Sequence, residues 1–475
     1  MGKTPGLIAV ALAVTAAAVL GVTLVRRAAD DRVGEDSGPC RGTVGIEVTG
    51  LSRAWRSRLG LPDEVLGAVV TEVLPRSPAA TAGLRVGDVI SAVGATPVTD
   101  ACASGFWSGR GCEPIDLVLH RSSGPVRLSV APAPEALLYR QACRSGVPSA
   151  CYRLARISWS GSGASPDEER PLELFEDACR RGSGAACAAL GEVLGPDAAR
   201  GQEALSLLER ACGLQDARGC LLLASAFAMG TLASRDDARA APLYEKSCDL
   251  GSALGCYNAG LMFNEGRGVP MDHRRAFRAY AEGCSMGSTT ACTDEGFMRE
   301  WGRGVEQDQA LAADRYRRAC QDTACQSANL LGCVNLGRAH RDGIGVARDP
   351  ARAAEIFRGA CDRAPAPDDV APARQRARAC SLLGALYLVG QGVDTDPVQG
   401  LALSKRGCNE GDDFGCYNAG VVFARGLGVG PDDDMAAGFF RRACEGGDEE
   451  ACTYVLRKLP SLVGVGEVRA GDRPR

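Results

Sequence analysis

Between residues 143 and 452 a cysteine-bearing turn recurs nine times, at intervals of mostly 36 residues. In seven copies two cysteines stand eight positions apart: Cys143/Cys151, Cys179/Cys187, Cys212/Cys220, Cys248/Cys256, Cys284/Cys292, Cys408/Cys416 and Cys444/Cys452. In the other two, Cys320/Cys333 and Cys361/Cys380, insertions separate the pair. A fixed period of roughly 20–50 residues predicts a solenoid of stacked units. Such a stack exposes long surfaces more readily than it encloses an active-site cleft, so the pattern points to binding.

A chain of 475 residues exceeds what one ordinary core organises, and several domains or an extended array are expected. The net charge is −4 and no block of like charge is long enough to be a binding tail, which argues against a nucleic-acid partner. The 22 cysteines stand beside only three histidines, His120, His273 and His340. With no CxxC pair, haem site or iron–sulfur run, neither a metal nor another cofactor is expected, and disulfides are. Cytosolic thiols stay reduced, so a chain this rich in spaced cysteine reads as exported.

The N-terminus supports export. Gly6 to Val25 is an uninterrupted apolar run of 20 residues behind Lys3, closed by Arg26-Arg27. Twenty residues span about 30 Å of hydrocarbon as a helix. The run is longer than the apolar core of a cleaved signal, arginines follow at once and no lipid-accepting cysteine lies nearby, which favours an uncleaved transmembrane anchor over a cleaved signal that would instead leave the protein secreted. Segment 1–27 is the anchor, 28–40 a solvated linker, and the cysteine-rich bulk is expected on the oxidising side of the membrane.

From about residue 41 the pattern turns to short β-type runs at Val44–Val48, Gly67–Val73, Asp88–Val93, Ile115–His120 and Val126–Val130, separated by Gly/Pro/Ser turns. Among them lies Ser77-Pro78-Ala79-Ala80-Thr81-Ala82-Gly83-Leu84-Arg85-Val86-Gly87-Asp88-Val89-Ile90, in which Pro78 can open a short helix and Gly83 end it. This segment, with Val44-Gly45-Ile46, Leu59-Gly60-Leu61-Pro62 and Gly67-Ala68-Val69-Val70 upstream, resembles the bacterial PDZ domains of HtrA-type periplasmic proteins over residues 41–131. The resemblance implies that a hydrophobic-Gly-hydrophobic loop, Val44-Gly45-Ile46, receives the C-terminal carboxylate of a peptide. The strand Glu47, Val48 and Thr49 would then pair with that peptide at the sheet edge. The family's groove helix should follow Pro97-Val98, but Thr99–Cys112 is glycine-rich there; a Cys102–Cys112 bridge would brace a shortened helix, with Phe106 or Trp107 lining the pocket. Only 40 residues precede this domain, too few for the protease domain that such relatives carry.

Beyond Pro132-Ala133-Pro134 the period becomes helical: apolar and small residues at i, i+3, i+4 and i+7 give two amphipathic helices per unit. Gly-x-Gly-Val elements (Gly266–Val269, Gly302–Val305, Gly343–Val346, Gly390–Val393, Gly426–Val429) fall between them, where glycine ends the first helix. The insertion Arg363–Arg376, with Pro365, Pro367 and Pro372, reads as an exposed excursion. Residues 132–459 resemble the cysteine-rich Sel-like, TPR-related repeats, and 460–475 read as a flexible tail. The resemblance implies that each cysteine pair is a disulfide from the end of one helix to the start of the next. The separation agrees, since it sets two antiparallel helix ends about 5–6 Å apart. Cys325 lies eight before Cys333 and competes with Cys320 for it; Cys40 has no evident partner.

Little points to chemistry. Gly283-Cys284-Ser285-Met286-Gly287 spells G-x-S-x-G, but a nucleophile elbow sits between a strand and a helix, whereas this string ends a repeat helix. Some cysteine-rich Sel-like proteins are described as penicillin-binding or weakly β-lactam-hydrolysing, yet the chain has no S-x-x-K. Tyr257-Asn258 and Tyr417-Asn418 recur at equivalent positions and read as packing residues, with an Asn on the concave face able to grip a peptide backbone as the alternative. The expected fold is therefore a transmembrane helix, a small β-rich PDZ domain and an all-α disulfide-bridged solenoid. The expected function is a non-enzymatic adaptor, inner-membrane anchored with its bulk in the periplasm, binding a protein or a C-terminal peptide. A weak β-lactam or cell-wall hydrolase and a thiol-exchange protein are the alternatives.

Overall fold

The computed structural model describes residues 42–51, 53–61, 65–98, 108–110, 114–121, 124–160, 170–321, 329–363 and 370–458. They divide into two compact units, chiefly the residues up to Asp308 and those from Gln309 on. The apolar run Gly6–Val25, the tail beyond 458, and Cys40, Cys102, Cys112 and Cys325 lie outside the described residues. Among those described, no helix is long and apolar enough to cross a membrane.

The β-rich region comprises β1 (Gly42–Thr43), β2 (Ile46–Gly50), α1 (Arg53–Leu59), β3 (Ala68–Val73), α2 (Pro78–Ala82), β4 (Val89–Val93), β5 (Thr96–Pro97), β6 (Ser108–Arg110), β7 (Ile115–Arg121), β8 (Gly124–Val130) and β9 (Ala133–Pro134). An antiparallel sheet runs β2-β3-β4-β7-β8, with β5 beside β4, and a small second sheet runs β6-β1-β9. Apolar residues that alternate along the strands meet in one core of Val44, Ala68, Val70, Ile90, Leu117 and Leu119. Helix α2 forms where the sequence predicts it. The Ser77 hydroxyl accepts from the Ala80 N–H at 3.1 Å, Pro78 occupies the first turn, and Gly83 closes the helix at φ +85°. Asp88 and Arg121 tie β4's entry to the end of β7 with two 2.6 Å bonds, and Arg121 also donates to the Gly83 carbonyl at 2.7 Å.

The first unit continues with α3 (Glu135–Arg144), α4 (Pro148–Ser160), α5 (Pro171–Arg180), α6 (Gly184–Leu194), α7 (Gly201–Gly213), α8 (Ala217–Met229), α9 (Asp237–Asp249), α10 (Ala253–Glu265), α11 (His273–Ser285) and α12 (Thr289–Trp301). The second holds α13 (Gln309–Ala319), α14 (Leu330–Asp342), α15 (Pro350–Cys361), α16 (Val370–Val389), α17 (Pro397–Asn409), α18 (Asp413–Arg425), α19 (Asp433–Glu445) and α20 (Glu449–Lys458). Even-numbered helices from α4 start each repeat, and odd-numbered ones complete it.

Every junction is a disulfide. Cys143–Cys151, Cys179–Cys187, Cys212–Cys220, Cys248–Cys256, Cys284–Cys292, Cys320–Cys333, Cys361–Cys380, Cys408–Cys416 and Cys444–Cys452 are joined. The Cα–Cα spans run from 4.4 to 4.8 Å, shorter than the 5–6 Å expected. Small residues at the junction explain the closer approach: Gly219 and Gly255 bring the incoming helix so near that an added Cβ would meet Ala211 or Ser247. Cys333 takes Cys320 as its partner, and among the described residues no cysteine is free.

Local chemistry starts eleven of these helices in the same way. Asp236, Asp272, Asp349, Asp396 and Asp432 cap α9, α11, α15, α17 and α19, and Ser183, Asp216, Ser252, Ser288, Asn329 and Asp412 cap α6, α8, α10, α12, α14 and α18, each side chain accepting a first-turn backbone N–H, whereas α5 and α7 begin without a side-chain cap. Within a repeat an aromatic ring of the second helix fills the notch left by a glycine of the first: Tyr280 over Gly260, Phe357 over Gly337, Phe440 over Gly420. Tyr257 and Tyr417 pack on the same rings, with centroids 6.0 Å from Tyr280 and 5.7 Å from Phe440, as their recurrence suggested. One expectation fails. The excursion Arg363–Arg376 is shorter than read, because α16 already begins at Val370 with Pro372 in its first turn, where no N–H is needed.

Candidate functional site

The loop Val44-Gly45-Ile46 joins β1 to β2 and is buried throughout. Its carbonyls are turned inward: Val44 accepts from the Ala79 N–H at 3.0 Å and Gly45 from the Leu74 N–H at 2.9 Å. Gly45 sits at φ +80°, and a Cβ there would meet Ser77 Cβ at 2.5 Å and Leu138 Cδ2 at 3.1 Å, so the close approach of α2 and α3 requires glycine. From Ile46 the chain enters β2, whose partner is β3 in the register Ile46↔Val73 to Gly50↔Ala68, with a bulge between Glu47 and Val48. β2 ends its sheet, so among the described residues its other edge, Glu47 to Thr49 included, pairs with no strand. The second wall of such a groove would come from residues 99–107, and Phe106, Trp107 and the Cys102–Cys112 pair lie outside the described residues.

The β-rich region is built onto the first helices, and this the sequence did not disclose. β9 pairs with β1 (Gly42↔Pro134, Thr43↔Ala133) and runs straight into α3. Leu74 belongs to the helical core with Tyr139 and Cys143, and the Ser149 hydroxyl donates to Glu72 Oε1 at 2.7 Å. Between α2, the end of β8 and α3 opens a cleft of about 510 Å³, lined among others by Arg76, Pro78, Val130, Leu137 and Gln141. Residues 132–134 had marked only the boundary where the period changes; a two-residue strand leaves no periodic signal by which to find it.

Within each unit, taken by itself, the even-numbered helices carry further residues of interest. In the second unit α14, α16 and α18 line a cleft of about 470 Å³ with Asn335, Arg338, Arg341, Gln375, Arg378 and Phe414. In the first unit Asp294 takes the position that Asn258, Asn335 and Asn418 hold in their repeats, two residues past the cysteine. Burial pushes its carboxyl up to about 7; burial first, and then the Asp294 charge, raise the hydroxyls of Tyr257 and Tyr280 above the usual phenol range. The sequence reading passed over Asp294; its departure from the repeat's asparagine was the available signal.

The catalytic string is a helix end. Ser285 is the last residue of α11, its hydroxyl donates to the Glu282 carbonyl at 2.8 Å, and Cys284 is bridged to Cys292. His273 opens α11 with its Nδ1 3.1 Å from Asn264 Oδ1, and His340 lies in the last turn of α14. Among the described residues no group of three or more His, Cys, Asp or Glu is placed to hold a metal ion.

Comparison with known proteins agrees with this architecture. The family model of the PDZ domain matches residues 69–101. That of the Sel1 repeat matches residues 148–183, 217–252, 253–288, 291–322, 330–364, 377–412 and 414–448, together more than half of the chain. The Serine protease Do-like HtrA of Lactococcus lactis subsp. cremoris is 45% identical over 69 residues, which are 14% of this chain and 17% of that protein, so the chain spans only a small part of this relative. A protective antigen of uropathogenic Escherichia coli with an SLR fold is 21% identical, with a TM-score of 0.54 over 68% of each chain, a likeness of fold alone. A Sel1 repeat protein from Oxalobacter formigenes is 22% identical over 67% of this chain and 89% of that one, with a TM-score of 0.48. With seven matched repeats following a PDZ domain, this chain belongs to the Sel1 repeat family.

Proposed function

We propose that this protein is an extracytoplasmic adaptor that captures the C-terminus of a partner at β2 and offers its repeat helices as a second binding surface. The observation that carries the reading is the edge of β2 that pairs with no strand among the described residues, behind a glycine loop whose carbonyls are already bonded inward. A peptide carboxylate seeks N–H donors, and the Val44 and Gly45 carbonyls are turned away from it; the Gly45 N–H lies 3.4 Å from Thr43 Oγ1, which the carboxylate would displace. An extended peptide then continues along the strand through main-chain bonds. The nine bridges favour an oxidising compartment, and the run Gly6–Val25 would anchor the protein with its repeats on that side of the inner membrane. No catalytic step belongs to this reading.

Isothermal titration of the purified, oxidised protein against a library of short peptides tests it. Peptides with an apolar last residue and a free carboxylate are expected to bind in the micromolar range, and amidating that carboxylate to abolish binding. Equal affinity for the amidated peptides would overturn the carboxylate role.

A further inference from the structure

We infer that the cleft on α14, α16 and α18 is a docking site for an acidic segment of a partner protein, one that interleaves carboxylate and apolar side chains. The inference rests on the adaptor reading in naming what the repeat surface takes. The cleft's lining contains three guanidiniums, Arg338, Arg341 and Arg378, and no carboxylate. Two of the three are steadied from outside it: Asp342 accepts from Arg341 Nε and Nη2 at 2.7 Å each, and Asp412 from Arg378 Nη1 at 3.3 Å. Arg378 also lies 4.6 Å from the centre of the Phe414 ring, which fixes the guanidinium plane. Held guanidiniums lose less freedom when they bind a carboxylate, so the arrangement is set up to accept one.

The rest of the lining narrows the occupant. Leu331, Leu382 and Phe414 give it apolar walls, and Asn335 and Gln375 give it amides. A bare phosphate or sulfate has no use for apolar walls, whereas a peptide with alternating acidic and apolar residues satisfies both. The chain's own net charge of −4 makes indiscriminate capture of polyanions an inadequate account of so local a cluster.

The test uses the full oxidised protein and four fluorescent probes: an amidated peptide of alternating Glu and Leu, its Gln-for-Glu and Lys-for-Glu counterparts, and a single-stranded oligonucleotide of the same charge as the Glu peptide. The Glu peptide is expected to bind, and to weaken severalfold between about 50 and about 300 mM salt as screening sets in. Arg338→Glu and Arg341→Glu are each expected to weaken it roughly tenfold or more, because they place like charge against the ligand. A peptide with Lys in place of Glu should regain affinity for the double variant. Unchanged far-ultraviolet dichroism and melting establish that the variants fold. Equal binding of the Gln peptide, or indifference to both substitutions in folded protein, overturns the inference; binding of the oligonucleotide as tight as that of the Glu peptide overturns it in favour of a general polyanion site. Because the probes are amidated, none reads the β2 edge. Their failure while free-carboxylate apolar peptides still bind removes this cleft and leaves the adaptor reading standing.

Discussion

At the scale of single residues, Asp294 is where the chain departs from its own repeat. Asn258, Asn335 and Asn418 are neutral amides at that position, and a carboxyl put there keeps its proton to about pH 7 because burial opposes its charge. A folded state that holds a proton the unfolded chain has released loses stability as pH rises between the two values. This group's contribution is therefore most favourable below about pH 4 and declines until about pH 7. Asp294→Asn removes the decline. The variant should melt higher than the parent at pH 8, by on the order of 1–3 kcal/mol in stability, and match it near pH 4. Calorimetric scans of both proteins across that range check it; parallel pH profiles would mean that Asp294 is solvated. The string of letters gave Asp294 no distinction beyond its mismatch, since burial is a property of the folded chain.

At the scale of elements, the Gly-x-Gly-Val motif divides into two roles. Its first glycine ends a helix, as the sequence led us to expect: Gly266, Gly302, Gly343, Gly390 and Gly426 all lie at positive φ just past one. The second glycine was legible only as a repeated letter. Gly268 lies against the backbone of Asp237, Gly304 against His273, Gly345 against Gln309 and Gly392 against Pro350, in each case the first residue of the second helix in the preceding repeat. A Cβ at any of them would overlap that backbone. Gly302→Ala should therefore cost only the left-handed penalty, about 1–2 kcal/mol, and Gly304→Ala that penalty plus an overpacking cost of about 1–3 kcal/mol. Denaturant titration of the two variants should rank them in that order; equal losses would mean the neighbouring repeat yields. Basic residues two before the cysteine reinforce the same stacking. Lys246 donates to the Cys212 carbonyl at 3.0 Å, Arg406 to Cys361 at 2.8 Å and Arg442 to Cys408 at 3.0 Å, each bonding the frayed end of the preceding repeat's helix.

At the scale of the whole molecule, each repeat meets mainly its neighbours, so stability is a sum of local terms that short covalent loops can dominate. A bridge closing so short a loop contributes about 2–3 kcal/mol in the chain-entropy account, large against a net folding stability of about 5–15 kcal/mol. Reduction should lower and broaden thermal unfolding of the whole chain. Non-reducing peptide maps should recover Cys248–Cys256 and Cys408–Cys416 internally linked, and Cys333 linked to Cys320 rather than to Cys325. Free thiols in those peptides, or a melting profile indifferent to reductant, would take away both the stapled stack and the argument for an oxidising compartment.

Local pattern by itself determined the repeats, all their cysteine pairs but that of Cys333, the glycines that end the first helices and five strands of the main sheet, because each is set by residues close together in the chain. Only tertiary structure decided three further matters: that β1 pairs with β9 and seats the first helix on Gly45, that the second glycine of each motif meets the preceding repeat, and that Arg338, Arg341, Arg378 and Phe414 converge on one cleft. Those groups lie on different strands and helices, up to 92 residues apart in the case of Gly42 and Pro134. No spacing rule relates such residues; their meeting follows from how apolar faces stack, and so does the chemistry they offer a partner.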